Sequence, residues 1–102
     1  MMELDPVVHA PKRLRIMTLL HATDTADFGF LQERLDLSTS DLSKQMKTLI
    51  EAGYASAKKT GRGPGSMTWY RLTREGRGAY EAHVNALRAL IEPPATSPCD
   101  TS

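Results

Sequence analysis

The stretch LDLSTSDLSKQMKTLIEAG, residues 35–53, decides the fold because a helix start, an apolar stripe and a helix end all fall within it. Ser38 with Asp41 three residues later resembles a capping box, which marks a helix N-terminus. Gly53 stands where a glycine commonly ends a helix. The apolar stripe between these signals is formed by Leu42, Met46, Leu49 and Ile50. The stretch therefore predicts a helix of about residues 39–52 with one buried face.

The side of this helix away from Leu42 carries hydroxyl, amide and ammonium groups, which can hydrogen-bond to bases and phosphates. Thirteen helical residues span about 20 Å, and a bare helix fits a major groove about 12 Å wide. We expect the N-terminal part of the helix to meet base edges and Lys47 to meet phosphate. The predicted recognition residues are Thr39, Ser40, Ser43, Lys44, Gln45 and Lys47. Alone, such lysines would also fit any solvated helix face.

A basic hairpin follows the helix and favours nucleic acid over a merely solvated face. Residues 54–60 and 67–72 are extended runs separated by GRGPG, whose turn chemistry predicts a β-hairpin. A slim glycine-proline tip with positive charge suits a wing that lies along a phosphate backbone or enters a minor groove. A surface loop whose lysines guard a strand edge is the simpler alternative. The predicted wing contacts are Lys58, Lys59, Arg62 and Arg71.

Further helices flank this core segment. Upstream, proline placement and apolar spacing predict helices at 6–10, 11–22 and 29–36, with residues 22–26 as a connection. The second of them begins with a basic group, Lys12, Arg13 and Arg15, to which the sequence assigns no role. Downstream, Thr73 offers an N-cap to a last helix of about residues 74–92.

The last helix carries a longer apolar stripe than so small a domain needs for its own core. Such a stripe calls for a partner, and we expect a second copy of the chain to cover it. The alternative is that the stripe folds back on the same subunit. The predicted dimer residues are Tyr80, His83, Val84, Leu87, Leu90 and Ile91.

The order of these signals resembles winged-helix bacterial transcription regulators of the MarR and ArsR types. The positions that carry the resemblance are Leu37-Ser38, Ser43-Lys44, Met46, Leu49, Glu51-Ala52-Gly53, Leu72-Thr73 and Gly76. The resemblance implies a mainly α (α+β) winged helix-turn-helix with a two-stranded β-hairpin wing and a long C-terminal dimerisation helix. It also implies a homodimeric repressor on double-stranded DNA, at a pseudo-palindromic operator with recognition helices one turn, ~34–36 Å, apart.

Other function classes have less support in the sequence. No set of nucleophile, base and orienting residue is visible, so we expect no catalytic residues and no enzyme. A metal sensor of the ArsR type is a rival, but Glu81-Ala82-His83 matches only half of one such site, so we expect no metal. A protein-interaction winged helix is the other rival, although such modules commonly lose the charge retained here. A small-molecule effector stays open, with room for it only at a dimer interface.

Length and composition set the frame. The 102 residues predict one domain, residues 1–92, followed by a disordered Pro/Ser/Thr-rich tail, residues 93–102. No apolar run approaches a membrane span and the single cysteine fits a reducing compartment, so we expect a cytoplasmic protein without a cofactor or membrane partner. The net charge is only +1, yet Lys58 to Arg77 hold six basic residues and one acidic residue.

Overall fold

The computed structural model describes residues 5–61, 63 and 65–91. The elements in chain order are α1 (Pro6–His9), α2 (Pro11–Thr23), β1 (Ala26–Asp27), α3 (Phe28–Leu35), α4 (Thr39–Glu51), β2 (Ala55–Thr60), β3 (Met67–Leu72) and α5 (Arg74–Ile91). This is a helix-turn-helix followed by a β wing and a long helix, which confirms the predicted winged-helix fold. Arg62 at the wing tip and the predicted tail, residues 93–102, lie outside the described residues.

Helix α4 has the ends that its sequence predicts. The Ser38 hydroxyl oxygen accepts a hydrogen bond from the backbone N–H of Asp41 at 3.1 Å, which caps the N-terminus. Gly53 has φ of 82°, a left-handed conformation that glycine adopts without steric cost. Helix α3 begins one residue earlier than predicted, because the Asp27 carboxylate accepts from the backbone N–H of Phe30 at 2.8 Å.

The wing belongs to a three-stranded antiparallel sheet in the order β1-β3-β2. The predicted hairpin is formed by β2 and β3, which pair over six residues each. The third strand, β1, pairs with β3 through Ala26 and Asp27 and was expected to be part of a connection. Two residues are too short to show a strand period, so the sequence carries no signal for this strand.

One hydrophobic core lies between the helices and the inner face of the sheet. Its fully buried side chains are Val8, Ile16, Met17, Leu20, Leu31, Leu42, Met46, Leu49 and Leu72. Ile50 was predicted to share the buried stripe of α4 but is 38% exposed. At about 100° per residue it lies roughly 80° around the helix from Leu42, at the margin of the stripe, where the core no longer covers it.

The exit of α4 is joined tightly to the start of α5. The backbone N–H of Thr73 donates to Tyr54 O at 3.1 Å, and the Thr73 hydroxyl donates to Gly53 O at 2.6 Å. The same hydroxyl oxygen accepts from the backbone N–H of Gly76 at 3.0 Å, which confirms Thr73 as the N-cap of α5. The first turn of α5 therefore packs directly on the backbone that leaves the recognition helix.

Candidate nucleic-acid interface

The outer face of α4 is exposed and polar. Ser40, Ser43, Lys44 and Lys47 all lie on the surface, while Leu42, Met46 and Leu49 fill the core on the other side. Within the part of the chain that the structure describes, the side chains of Ser43, Lys44 and Lys47 make no hydrogen bond or ion pair. These hydroxyl and ammonium groups are therefore free to meet an external acceptor.

Three predicted recognition residues already make hydrogen bonds within the chain: Thr39, Gln45 and Ser40, whose hydroxyl oxygen lies 3.4 Å from that of Ser38. The Thr39 hydroxyl oxygen accepts from the Gln32 amide at 2.9 Å, which leaves its own proton available to a partner. Gln45 is half-buried; its amide oxygen accepts from Arg13 at 2.8 Å and its amide nitrogen donates to Asp41 at 3.1 Å. Gln45 is thus turned toward α2 and held there by Arg13. The spacing of residues along a helix gives the direction of Gln45 but cannot show which residue of α2 it meets.

The wing cations are exposed but do not all share one face. Lys58 lies directly across the strands from Trp69, and Arg71 follows two residues later on the same side of β3. These three side chains line a surface hollow of about 140 Å³ on the outer face of the sheet. Lys59 pairs with Thr68 and belongs to the opposite face. Tyr70 points into the core, and its neighbour Trp69, on the other face of the strand, points away from it.

The predicted dimer residues of α5 differ in exposure. His83 is only 2% exposed and packs inside the same chain, with its Nε2 3.4 Å from Nδ1 of His9. Tyr80 is half-buried against the ring of His21, at a centroid distance of 4.9 Å. The remaining apolar side chains face outward: Val84 and Leu87 in part, Leu90 at 67% and Ile91 at 78%. We therefore remove His83 from the surface that a partner could cover.

Burial of His83 makes a pH dependence of stability expected. Burial and the neighbouring His9 lower the pKa of His83, while Asp5 opposes them. The unfolded chain, in which a histidine has a pKa of about 6.5, therefore takes up a proton that the folded chain resists. Its contribution to the free energy of unfolding is complete above pH 6.5 and falls as the pH is lowered from there through the pKa of the folded state.

Denaturant unfolding between pH 7.5 and pH 5 measures this effect. The variant His83→Leu, whose side chain does not titrate, should show a flatter loss of stability below pH 6.5 than the parent. An identical slope in both proteins would assign the acid sensitivity to other groups.

The sequence missed contacts that α2 makes with the recognition helix. Lys12 forms an ion pair with Asp41 of α4, and Arg13 reaches both Gln45 and the carbonyl of Val7. The basic group at the start of α2 was visible as charge, but nothing in the sequence showed that its partners lie about thirty residues away.

The fold and this polar helix face are those of the winged-helix class. A model of winged helix DNA-binding domains matches residues 12–91, so the chain belongs to this family. The family and fold are those of transcription regulators, which are not enzymes. The predicted resemblance to winged-helix transcription regulators is confirmed.

Three relatives illustrate the similarity. An uncharacterised protein of Methanocaldococcus jannaschii is 29% identical over 78 residues, which cover 76% of this chain and 85% of that protein. The transcriptional regulator homologue protein from Pyrococcus horikoshii OT3 superposes with a TM-score of 0.78 at 26% identity, covering 83% of this chain and 84% of that one. The transcriptional repressor BigR from Xylella fastidiosa superposes with a TM-score of 0.64 at 25% identity, covering 85% and 81%. Among the described residues, no helix is long and apolar enough to span a membrane.

Proposed function

We propose that this chain is a sequence-specific, double-stranded-DNA-binding transcription regulator in which α4 enters the major groove. The observation that carries the proposal is the outer face of α4, where Ser43, Lys44 and Lys47 are exposed and free of partners in the described part of the chain. Base readers are Ser40, Ser43 and Lys44, with Thr39 donating its remaining proton; Lys47 contacts phosphate. A winged helix used only for protein assembly has no need of this polar face.

The wing provides backbone contacts that orient the protein. Lys58, Lys59 and Arg71 are exposed along β2 and β3, and Arg62 belongs to the tip sequence between them. Cations on a thin hairpin neutralise phosphates without reading sequence. Specificity then belongs to α4, and the wing supplies affinity from the backbone or the minor groove.

The proposed active form is a homodimer joined through α5. Leu90 and Ile91 are 67% and 78% exposed at the end of a helix whose earlier turns are packed against the domain. A two-fold axis near this end would place two copies of α4 on successive half-sites of a pseudo-palindromic operator. The regulator acts in the cytoplasm as a repressor that occupies the operator, a role that the similarity to the repressor BigR supports. An effector, if one regulates it, is a small molecule of unassigned chemistry.

Binding to pooled genomic DNA fragments across a salt series tests the proposal. Six to ten phosphate contacts predict a loss of about 10³- to 10⁵-fold in affinity between 50 and 200 mM salt. The variant Lys44→Ala/Lys47→Ala should bind more weakly and with a shallower salt slope. Its control, Thr18→Glu/Ala22→Glu, makes the same change of −2 in net charge at exposed positions of α2. If the parent chain does not bind DNA at 50 mM salt, or if added salt does not weaken that binding, the proposed function is rejected.

A further inference from the structure

The contacts at the start of α2 form a closed polar network with the recognition helix. The ammonium of Lys12 pairs with one carboxylate oxygen of Asp41, and the Gln45 amide donates to the other at 3.1 Å. The Gln45 carbonyl oxygen accepts from Nη1 of Arg13 at 2.8 Å. Two adjacent residues of α2 thus hold the first and second turns of α4.

The network is anchored on its other side to α1. Nε of Arg13 donates to Val7 O at 2.7 Å, so one guanidinium connects the backbone of α1 to a side chain of α4. This use of two different N–H groups in a fixed planar fork is a geometry that lysine cannot reproduce. Hydrogen bonds from Lys12 and Gln45 lower the pKa of the Asp41 carboxyl, so it stays ionised at neutral pH.

We propose that Lys12 and Arg13 are positioning residues that set the rotation of α4 about its own axis, and with it the choice of operator sequence. This inference rests on the proposed function. A rotation of about 10° moves an atom roughly 6 Å from the helix axis by about 1 Å. Such a displacement breaks a hydrogen bond to a base edge, whose length range is only about 0.5 Å. It leaves phosphate contacts nearly unchanged, because long flexible lysines can follow the backbone.

The network also explains an acidic residue near the DNA-facing end of α4. An uncompensated Asp41 would repel phosphates. Its pairing with Lys12 neutralises the charge locally, and the Gln45 amide completes its hydrogen bonding. The charge of Lys12 is therefore paired within the chain, and Arg13 is hydrogen-bonded to Gln45 and Val7, although the sequence alone assigned neither residue a partner.

The charge-preserving variant Arg13→Lys separates the two roles. If Arg13 positions α4, lysine cannot replace it. The ratio of operator affinity to non-operator affinity then falls about tenfold, which corresponds to the loss of one base contact. The salt slope and the non-operator affinity stay at parent values. If Arg13 instead contacts a phosphate, Arg13→Lys should have little effect, because a lysine ammonium also binds phosphate well. Arg13→Ala would then reduce the salt slope by about 0.9 for each protomer.

Gln45→Ala provides the second arm. If Gln45 acts through Arg13, its loss produces the same drop in the affinity ratio, and the double variant Arg13→Ala/Gln45→Ala loses no more than the worse single variant. Additive losses would overturn the inference and return Gln45 to the base readers. Arg34→Lys is the matched control, since Arg34 lies over the Phe30 ring within α3 and touches none of these groups.

A measurement on the free protein distinguishes failure of this inference from failure of the proposed function. Hydrogen exchange of the α4 backbone amides should accelerate in Arg13→Ala and in Gln45→Ala, and remain unchanged in Arg34→Lys. If the parent chain binds no DNA but this acceleration is found, the proposed function is wrong, whereas the positioning of α4 by the network is supported. Unchanged exchange in both network variants overturns the positioning role, whatever the DNA result.

Discussion

Replacing Gly76 by alanine is expected to lower the free energy of unfolding by about 3 kcal/mol, near the upper end for an overpacked site. A Cβ built on Gly76 lies 2.0 Å from the carbonyl oxygen of Tyr54 and 2.8 Å from its carbonyl carbon. Both atoms belong to the backbone at the exit of α4, so they cannot rotate away as the end of a side chain could. Helix α5 would have to withdraw, and the hydrogen bonds of Thr73 to Gly53 and Tyr54 would break.

Gly78→Ala is the matched control in the same helix. A Cβ at Gly78 meets no atom within 4 Å. Alanine there should stabilise the protein by about 0.5–1 kcal/mol, because glycine is the poorer helix former. Urea unfolding followed by circular dichroism measures both variants. If the two alanines had the same effect, the contact between α5 and Tyr54 would not be a tight one.

Leu87→Glu is expected to convert the proposed homodimer to monomers. Leu87 is half-buried and lies about 60° around α5 from the exposed Leu90, and an ionised carboxylate there would be desolvated by the partner. Sedimentation should show the mass halved. Operator affinity should fall by about a hundredfold or more, because each half-site then binds without the effective concentration that its neighbour supplies.

Ala89→Glu places the same carboxylate two residues away on the opposite, exposed side of α5 and should leave the mass and the affinity unchanged. The helical content of both variants should match the parent. A dimeric Leu87→Glu protein would move the interface to another surface of the chain.

The packing of α5 gives a physical reason to expect this interface. Leu90 follows His83 by seven residues, nearly two full turns, so both lie on the same side of the helix. Yet His83 is 2% exposed and Leu90 is 67% exposed. The domain covers the first turns of that side and ends before the last one.

Much of the fold could be predicted because its signals are local. The Ser38 cap, the Gly53 terminator and the apolar period between them are each read within a few residues, and the structure confirms them. Strand β1 was missed since a two-residue strand exists only through its pairing with β3. Tertiary pairing of that kind leaves no mark on the sequence.

The candidate site was harder to predict because a helical wheel gives direction without neighbours. It placed Lys44 and Lys47 on an open face, which is where they lie. It could not show that Arg13 comes from α2 to hold Gln45, or that His9 comes from α1 to cover His83. The sequence indicates no partner for Gln45 or His83, yet each side chain contacts a residue of another helix in the folded chain.

The brief reach of β1 has a mechanical consequence for the wing. Support from β1 ends at the Trp69 position, whereas β2 and β3 continue as a two-stranded ribbon to Thr60 and Met67. The wing is therefore part of a three-stranded sheet where it meets the domain, and only two paired strands continue toward its tip. In the proposed complex with DNA, the three-stranded base would fix where the wing leaves the domain, and the two-stranded part would be the portion able to adjust to the groove.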